Sequence, residues 1–348
     1  MCLFWGGLFV LFRFREPSHK GKPISYWVNR ACRYDASEAV EEVTMIGSPS
    51  VPLLISNLHA RDTTFRVAYA EFREIAPDWL SNRLPEVPRA DEIRCSAERV
   101  LGFLGTNAVA AVPDLIQYLK CSTTDEAGNI VTTLAAIGPG AHTAVPDLHA
   151  MLTNADSMFL VNVAGALWQI DKETNLVVEI CSKALETTNA AGNAALLLSQ
   201  VGTPAASTAP RLLRALKDPN SDRDLRGNAA IALGELGFNS PEAIEALLAA
   251  VNETNSTIRM ASARALWEID KKYADVALPL FVDYAIKWNK QSHQPETLLQ
   301  MTRNCHVNLG DALAALTKLA QSDNAETKLM AAQALKDLRT YKKEGSIP

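Results

Sequence analysis

Six histidines, six cysteines and 39 acidic side chains are the raw material for chemistry in this 348-residue chain. The histidines are His19, His59, His142, His149, His293 and His306, and none stands in a tight pair. His142 and His149 are seven residues apart, which puts them on one face of a helix two turns from each other. A metal centre needs a third donor, and the spacing suggests none, so no metal ligand is nominated. The cysteines (Cys2, Cys32, Cys95, Cys121, Cys181, Cys305) form no CxxC pair. That spacing indicates neither a zinc site nor a disulfide framework and reads as buried free thiols serving as small apolar groups. No P-loop, GxGxxG, GxSxG, HExxH or EF-hand string occurs. The carboxylates fall mostly in connectors and first helical turns, where capping accounts for them. No catalytic residue, no cofactor-binding residue and no cofactor is expected.

The elements that position these side chains are legible as a repeat. In LGFLGTNAVAAVPDLIQYL (residues 101–119) an apolar helical pattern closes at Gly105, a small-residue turn follows, and Val112-Pro113 opens a second helix. Residues closing a first helix recur at Gly105, Gly138, Asp171, Gly202, Gly237 and Asp270. Second helices open at Val112-Pro113, Val145-Pro146, Val177-Val178, Ala209-Pro210, Ala243-Ile244 and Leu278-Pro279. A period of about 33 residues held over six units signals a repeat array. Glycine at the close can take the left-handed conformation that stops a helix, and Asp171 and Asp270 are expected to substitute because Asp visits that region more easily than most residues. Proline at the head of a helix occupies the turn where a missing N–H does no harm. Alanines such as Ala229, Ala230, Ala263 and Ala265 let helices approach closely, and connectors such as DPNSDRD and NETNST supply N-caps. Trp168 and Trp267 sit in near-identical strings 99 residues apart and are expected to fill seams between repeats.

The boundaries read as follows. Residues 1–20 carry a hydrophobic N-terminal segment, residues 21–35 a lead-in helix, residues 36–340 the repeat array, and residues 341–348 a tail. CLFWGGLFVLF (residues 2–12) is shorter than the roughly 20 residues needed to span a bilayer. We read it as a clipped membrane anchor or export signal, with a terminal helix packed on the first repeat as the alternative. Membrane-anchored or exported localisation is favoured on that reading, cytoplasmic being the alternative. Residues 60–91 break the rhythm as an insertion, with a helix over 63–75 followed by the helix-breaking Pro77, Pro85 and Pro88. Two polar-faced helices, 311–319 and 325–338, cap the array.

Charge excludes one class of partner. Residues 121–210 hold two basic and eight acidic side chains, which leaves no phosphate-tracking groove there. Nucleic acid is not expected as a partner.

Leu104-Gly105, Ala111-Val112-Pro113, Leu115-Ile116 and Leu119 resemble the short, Ala-rich class of HEAT repeats, a signature also found in bilin-lyase-like HEAT proteins. The opening GKPISYW ahead of a repeat array resembles bacterial HEAT-repeat proteins of unassigned role. The resemblance covers residues 36–340. It implies an all-α fold, a HEAT/armadillo-like α-solenoid superhelix of about eight antiparallel helix pairs, with the second helices lining the concave side. HEAT proteins mostly bind other proteins, so the expected role is a non-enzymatic protein–protein interaction scaffold; the alternative, on the same analogy, is a bilin-lyase-like chromophore-handling enzyme or chaperone. The polar positions on the second helices are the candidate partner-binding residues: Asp114, Gln117, Asp147, Glu179, Lys183, Arg211, Arg214 and Lys217. Their sign runs from acidic to basic along the chain. The partners implied are an unidentified protein and, through residues 2–12, a membrane.

Overall fold

The computed structural model describes residues 17–32, 37–81, 83–84, 87–122, 124–153, 156–187, 189–273, 276–277, 280–281 and scattered positions from 310 to 335. The segment 2–12, Leu278-Pro279, the tail and nearly all of the capping helices therefore lie outside the described residues. The fold is an all-α repeat in two compact units, residues 1–173 and 174–348.

Unit 1 opens on a two-residue hairpin, β1 (Ser18–His19) antiparallel to β2 (Lys22–Pro23), turned at Lys20-Gly21. Helix α1 (Ile24–Ala31) buries Ile24, Trp27, Val28 and Ala31. The Trp27 indole donates to the His19 carbonyl at 3.0 Å. Glu42, buried on α2 (Ser37–Ile46), accepts from Lys20 and from His19 (2.6 Å). Lys20 first, then His19, holds its carboxyl below the usual range. Next come α3 (Val51–Leu58), α4 (Thr64–Ile75), the single turn α5 (Asp78–Ser81), α6 (Ala90–Leu104), α7 (Val112–Cys121), α8 (Thr124–Ile137), α9 (Val145–Ala150) and α10 (Ser157–Asp171). First helices stack side by side, α6 between α2 and α8 and α8 against α10, while the second helix α3 also packs on α6. Leu101, Leu115, Leu119, Ile130, Leu134 and Ile137 are fully buried between them. Residues Ala90–Cys121 are apolar and long enough to cross a membrane by composition alone. That run is α6 and α7 joined through a 3-10 turn, with its apolar face packed into the unit's core.

Unit 2 repeats the plan with α11 (Thr174–Ala184), α12 (Ala191–Val201), α13 (Ala209–Lys217), α14 (Arg223–Glu235), α15 (Pro241–Ala250) and α16 (Ser256–Ile269). Here α14 lies between α12 and α16. The small residues explain how closely: a Cβ added to Gly234 would fall 2.6 Å from the Cα of Ala265. N-caps come from the connectors, as Asp222 accepts from the Asp224 amide, Ser240 from Ala243, and Asn255 from Thr257 and Ile258.

The helix closures differ from expectation in detail. Gly105 (φ 52°, ψ −126°) and Gly202 (φ 70°, ψ −145°) do not take the left-handed helical conformation. They occupy the mirror-image extended region, which a Cβ excludes, and this reverses the chain abruptly into a 3-10 turn that leads to the proline-headed second helix. The aspartates do not substitute for them. Asp171 ends α10 in helical geometry, and the left-handed residue is Lys172 (φ 58°, ψ 38°). Asp270 is extended (φ −158°, ψ 124°), its carboxylate accepting from the Lys272 amide at 2.9 Å. A carboxylate that caps the following turn makes a glycine unnecessary. The thiols also divide: Cys32 and Cys181 are buried, whereas Cys95 and Cys121 are exposed. Burial pushes the Cys181 thiol up to about 12.

Candidate functional site

Of the eight candidate residues, three share a cleft in unit 2. Arg211, Arg214 and Lys217 project from α13 at three-residue intervals, so they follow one side of the helix. Leu212 and Leu216 are buried on its other side. Facing the cations are Leu185 and Glu186 from the turn after α11, with Asp218, Ser221 and Leu225 from the start of the next pair. Together with Ala215 they line an open cleft of about 520 Å³, in which Leu185, Ala215 and Leu225 are the apolar lining.

The charges in this cleft are unequally compensated. Arg211 Nε lies 3.4 Å from Glu186 Oε1. Asp218 is engaged by its own turn, accepting from the Asn220 amide at 2.9 Å and the Ser221 hydroxyl at 3.3 Å. Arg214 and Lys217 are exposed and have no carboxylate partner among the described residues. Their place in the last turn of α13 favours cations through the helix dipole, yet a dipole alone does not require an apolar lining beside them. The rim is held rigid from below by Arg226. Its guanidinium donates to the Leu216 carbonyl at 3.0 Å and makes a two-pronged pair with Glu253. An unpaired α13 carbonyl is thereby satisfied, and α14 is tied to the loop after α15.

The remaining candidates go elsewhere. Glu179 and Lys183 pair one turn apart on α11 at 2.7 Å, both exposed. In unit 1, Asp114 accepts from His59 (2.8 Å) and Asp147 from Lys120 (3.0 Å). Each contact joins consecutive helix pairs, so these carboxylates are committed to the stack. Gln117 is exposed on α7. His142 and His149 do not converge: His142 meets Asp171 at 2.7 Å and His149 meets Glu173 at 2.8 Å. Among the described residues no three of His, Cys, Asp and Glu are arranged to hold a metal ion. Trp267 is buried and Trp168 half-buried, with Lys271 and Lys172 lying 4.0 and 4.1 Å from their ring centroids. The cation of each partner lysine covers the ring face that a ligand would need.

One buried group escaped sequence reasoning. Glu98 on α6 is 1% exposed, and neither carboxylate oxygen has a hydrogen-bond partner. Burial, reinforced by Glu126 and opposed by Arg94, raises its carboxyl to about 7. Arg94 is turned away to Tyr118 and the Ala60 carbonyl, both at 3.0 Å. Glu98 occupies a core-facing position of the α6 stripe, so periodicity places it inside, but only the fold supplies its neighbours.

The family model for HEAT repeats matches residues 182–267 and 209–287. No curated protein matches the chain. Among solved structures, one engineered protein is 19% identical, over 91% of this chain and 84% of its own, with a TM-score of 0.41. A second engineered protein is 19% identical over 66% of this chain and 96% of its own, TM-score 0.33. A mutant of Kap121p is 13% identical, TM-score 0.41, over 89% of this chain but only 37% of that protein. The family match covers α12 to α16, where the cleft lies, and the same glycine-closed helix pairs recur in unit 1. Residues 182–287 thus match HEAT repeats, and the described fold is a helical repeat.

Proposed function

We propose that this protein is a non-enzymatic interaction scaffold that holds an acidic, partly apolar segment of a partner protein in the unit 2 cleft. The supporting observation is the pair Arg214 and Lys217, exposed and, among the described residues, without carboxylate partners beside Leu185, Ala215 and Leu225. Such a segment places leucine-type side chains on this apolar lining and its carboxylates on the cations. Arg214 offers a planar two-pronged donor, and Lys217 a mobile point charge. Glu186 and Asp218 at the edges disfavour a uniformly anionic polymer and favour a segment whose acids are spaced. Unit 1 takes a different part in this reading: its second-helix acids serve the stack through His59–Asp114 and Lys120–Asp147 rather than the partner. Nothing among the described residues favours the chromophore-handling alternative.

The test is fluorescence anisotropy with a labelled amphipathic peptide alternating Glu and Leu, beside a Lys and Leu peptide of equal length. The acidic peptide should bind, weaken as salt rises, and lose about tenfold in affinity, roughly 1.4 kcal/mol, with Arg214→Glu and Lys217→Glu combined. Equal binding of both peptides, or indifference to the double substitution, would sink the proposal.

A further inference from the structure

Among the described residues, five of the ten large exposed hydrophobic side chains, Phe65, Val67, Phe72, Ile75 and Trp79, crowd into fifteen residues of unit 1. The other five are scattered singly along the chain, which is normal for a surface. The crowded ones belong to α4 and α5, and α4 has no buried residue at all. Its N-terminal end is fixed: the Thr63 hydroxyl accepts from the Arg66 amide (3.2 Å), Asp62 accepts from the Ala90 amide (2.9 Å), and Arg94 grips the Ala60 carbonyl (3.0 Å). Among the described residues its middle packs on no other helix of unit 1 to the extent the other helices pack on one another. Phe65, Ala68, Tyr69, Phe72 and Ile75 fall at helical spacing into one stripe, with Phe65 and Tyr69 stacked at 6.2 Å between ring centroids. A twelve-residue helix is marginal in water without a covering surface.

We infer that a second copy of this chain covers the stripe, α4 pairing with α4 about a two-fold axis. Area is the first argument. Phe65, Phe72 and Ile75 of the stripe and Trp79 on the following turn are 76, 47, 82 and 67% exposed. At 150–250 Å² for a whole aromatic side chain they offer on the order of 500 Å² per copy. Two copies bury about 1,000 Å², the floor for a specific interface. Charge is the second. On the helix, Arg66 and Arg73 border one edge of the stripe and Glu71 the other. Two parallel copies related by the two-fold axis therefore bring each Glu71 edge against an arginine edge, a self-complementary arrangement suited to an isologous dimer. Residues 60–84 hold four arginines and four acids. An anionic lipid surface selects an excess of cations, and a strongly charged partner selects one sign; this segment has neither.

The experiment is sedimentation velocity of the full-length chain across a concentration series, with far-UV circular dichroism to confirm folding. The wild-type chain should form a concentration-dependent dimer. Phe72→Glu with Ile75→Glu should weaken it at least about tenfold. Glu71→Arg alone should also weaken it, and adding Arg66→Glu with Arg73→Glu should restore it. These charge substitutions lie on exposed or half-exposed positions and keep the test decisive if the apolar substitutions unfold α4. A monomer at every concentration overturns the inference, as does association indifferent to these substitutions or failure of the charge reversal to restore it. So does a monomer whose binding to neutral or anionic vesicles depends on Phe72 and Ile75, which assigns the stripe to lipid.

Discussion

Replacing Glu98 with glutamine should stabilise the protein, and the gain should depend on pH. The side chain is 1% exposed with both oxygens unpartnered. Its carboxyl titrates near 7 in the folded chain against 4.5 ordinarily. A shift of that size corresponds to about 3 kcal/mol of preference for the neutral form. Below the unfolded value both states carry the proton and the wild-type chain bears no charge penalty. As pH rises through the window from 4.5 to about 7 the unfolded chain ionises first, and stability falls; above it the full penalty applies. Glutamine keeps the volume and never ionises, so its own buried amide costs the same at every pH. The difference in unfolding free energy, Glu98→Gln minus wild type, should therefore be larger at pH 8 than at pH 4.5 by about 3 kcal/mol. Urea unfolding followed by circular dichroism at the two pH values measures it. Glu126→Gln, which removes the like charge beside Glu98, should give a smaller change of the same sign. A difference for Glu98→Gln that is constant across the window would refute the reasoning, because it would mean that Glu98 finds a compensating partner when ionised.

Two further substitutions probe what holds the cleft. Gly234→Ala places a Cβ against the Ala265 backbone at 2.6 Å, which α14 and α16 can relieve only by moving apart. The expected loss is about 1–3 kcal/mol in thermal or urea unfolding, and a neutral result would show that the helices separate freely. Arg226→Leu removes the donors to the Leu216 carbonyl and Glu253. It should destabilise by about 1.5–3 kcal/mol and weaken acidic-peptide binding through a displaced α13, and an unchanged affinity would place the rim's rigidity elsewhere.

The repeat was legible because its determinants are local. Gly105 and Gly202 close helices, Pro113 and Pro210 open them, and each acts within a few residues of its own position. The same locality explains the error at Asp171 and Asp270. Glycine and aspartate at one register position suggest one conformation, but the side chain of Asp270 caps its own turn, and at Asp171 the chain reverses one residue later, at Lys172. The helix of the 60–91 segment could be placed from its pattern, whereas its lack of a covering partner could not. An apolar stripe predicts burial, and only the arrangement of neighbouring helices tells whether the chain itself supplies the cover.

The candidate residues show the same limit from the other side. Their helix faces follow from periodicity, so all eight were placed on second helices, but spacing cannot say which charges are already neutralised. Asp114 is answered by His59, 55 residues earlier, and Arg211 by Glu186, 25 residues earlier. The first interval exceeds the repeat of about 33 residues because the 60–91 insertion lies within it, and the second falls short because Glu186 lies in the turn after its helix. Arg214 and Lys217 differ from the other charged candidates in having no such answer, while the neighbouring acid Asp218 is held by its own turn. A sign gradient read along the sequence thus reduces to a local excess of positive charge in one cleft. That excess is a property of the fold, since it depends on which carboxylates the turns withdraw from the surface.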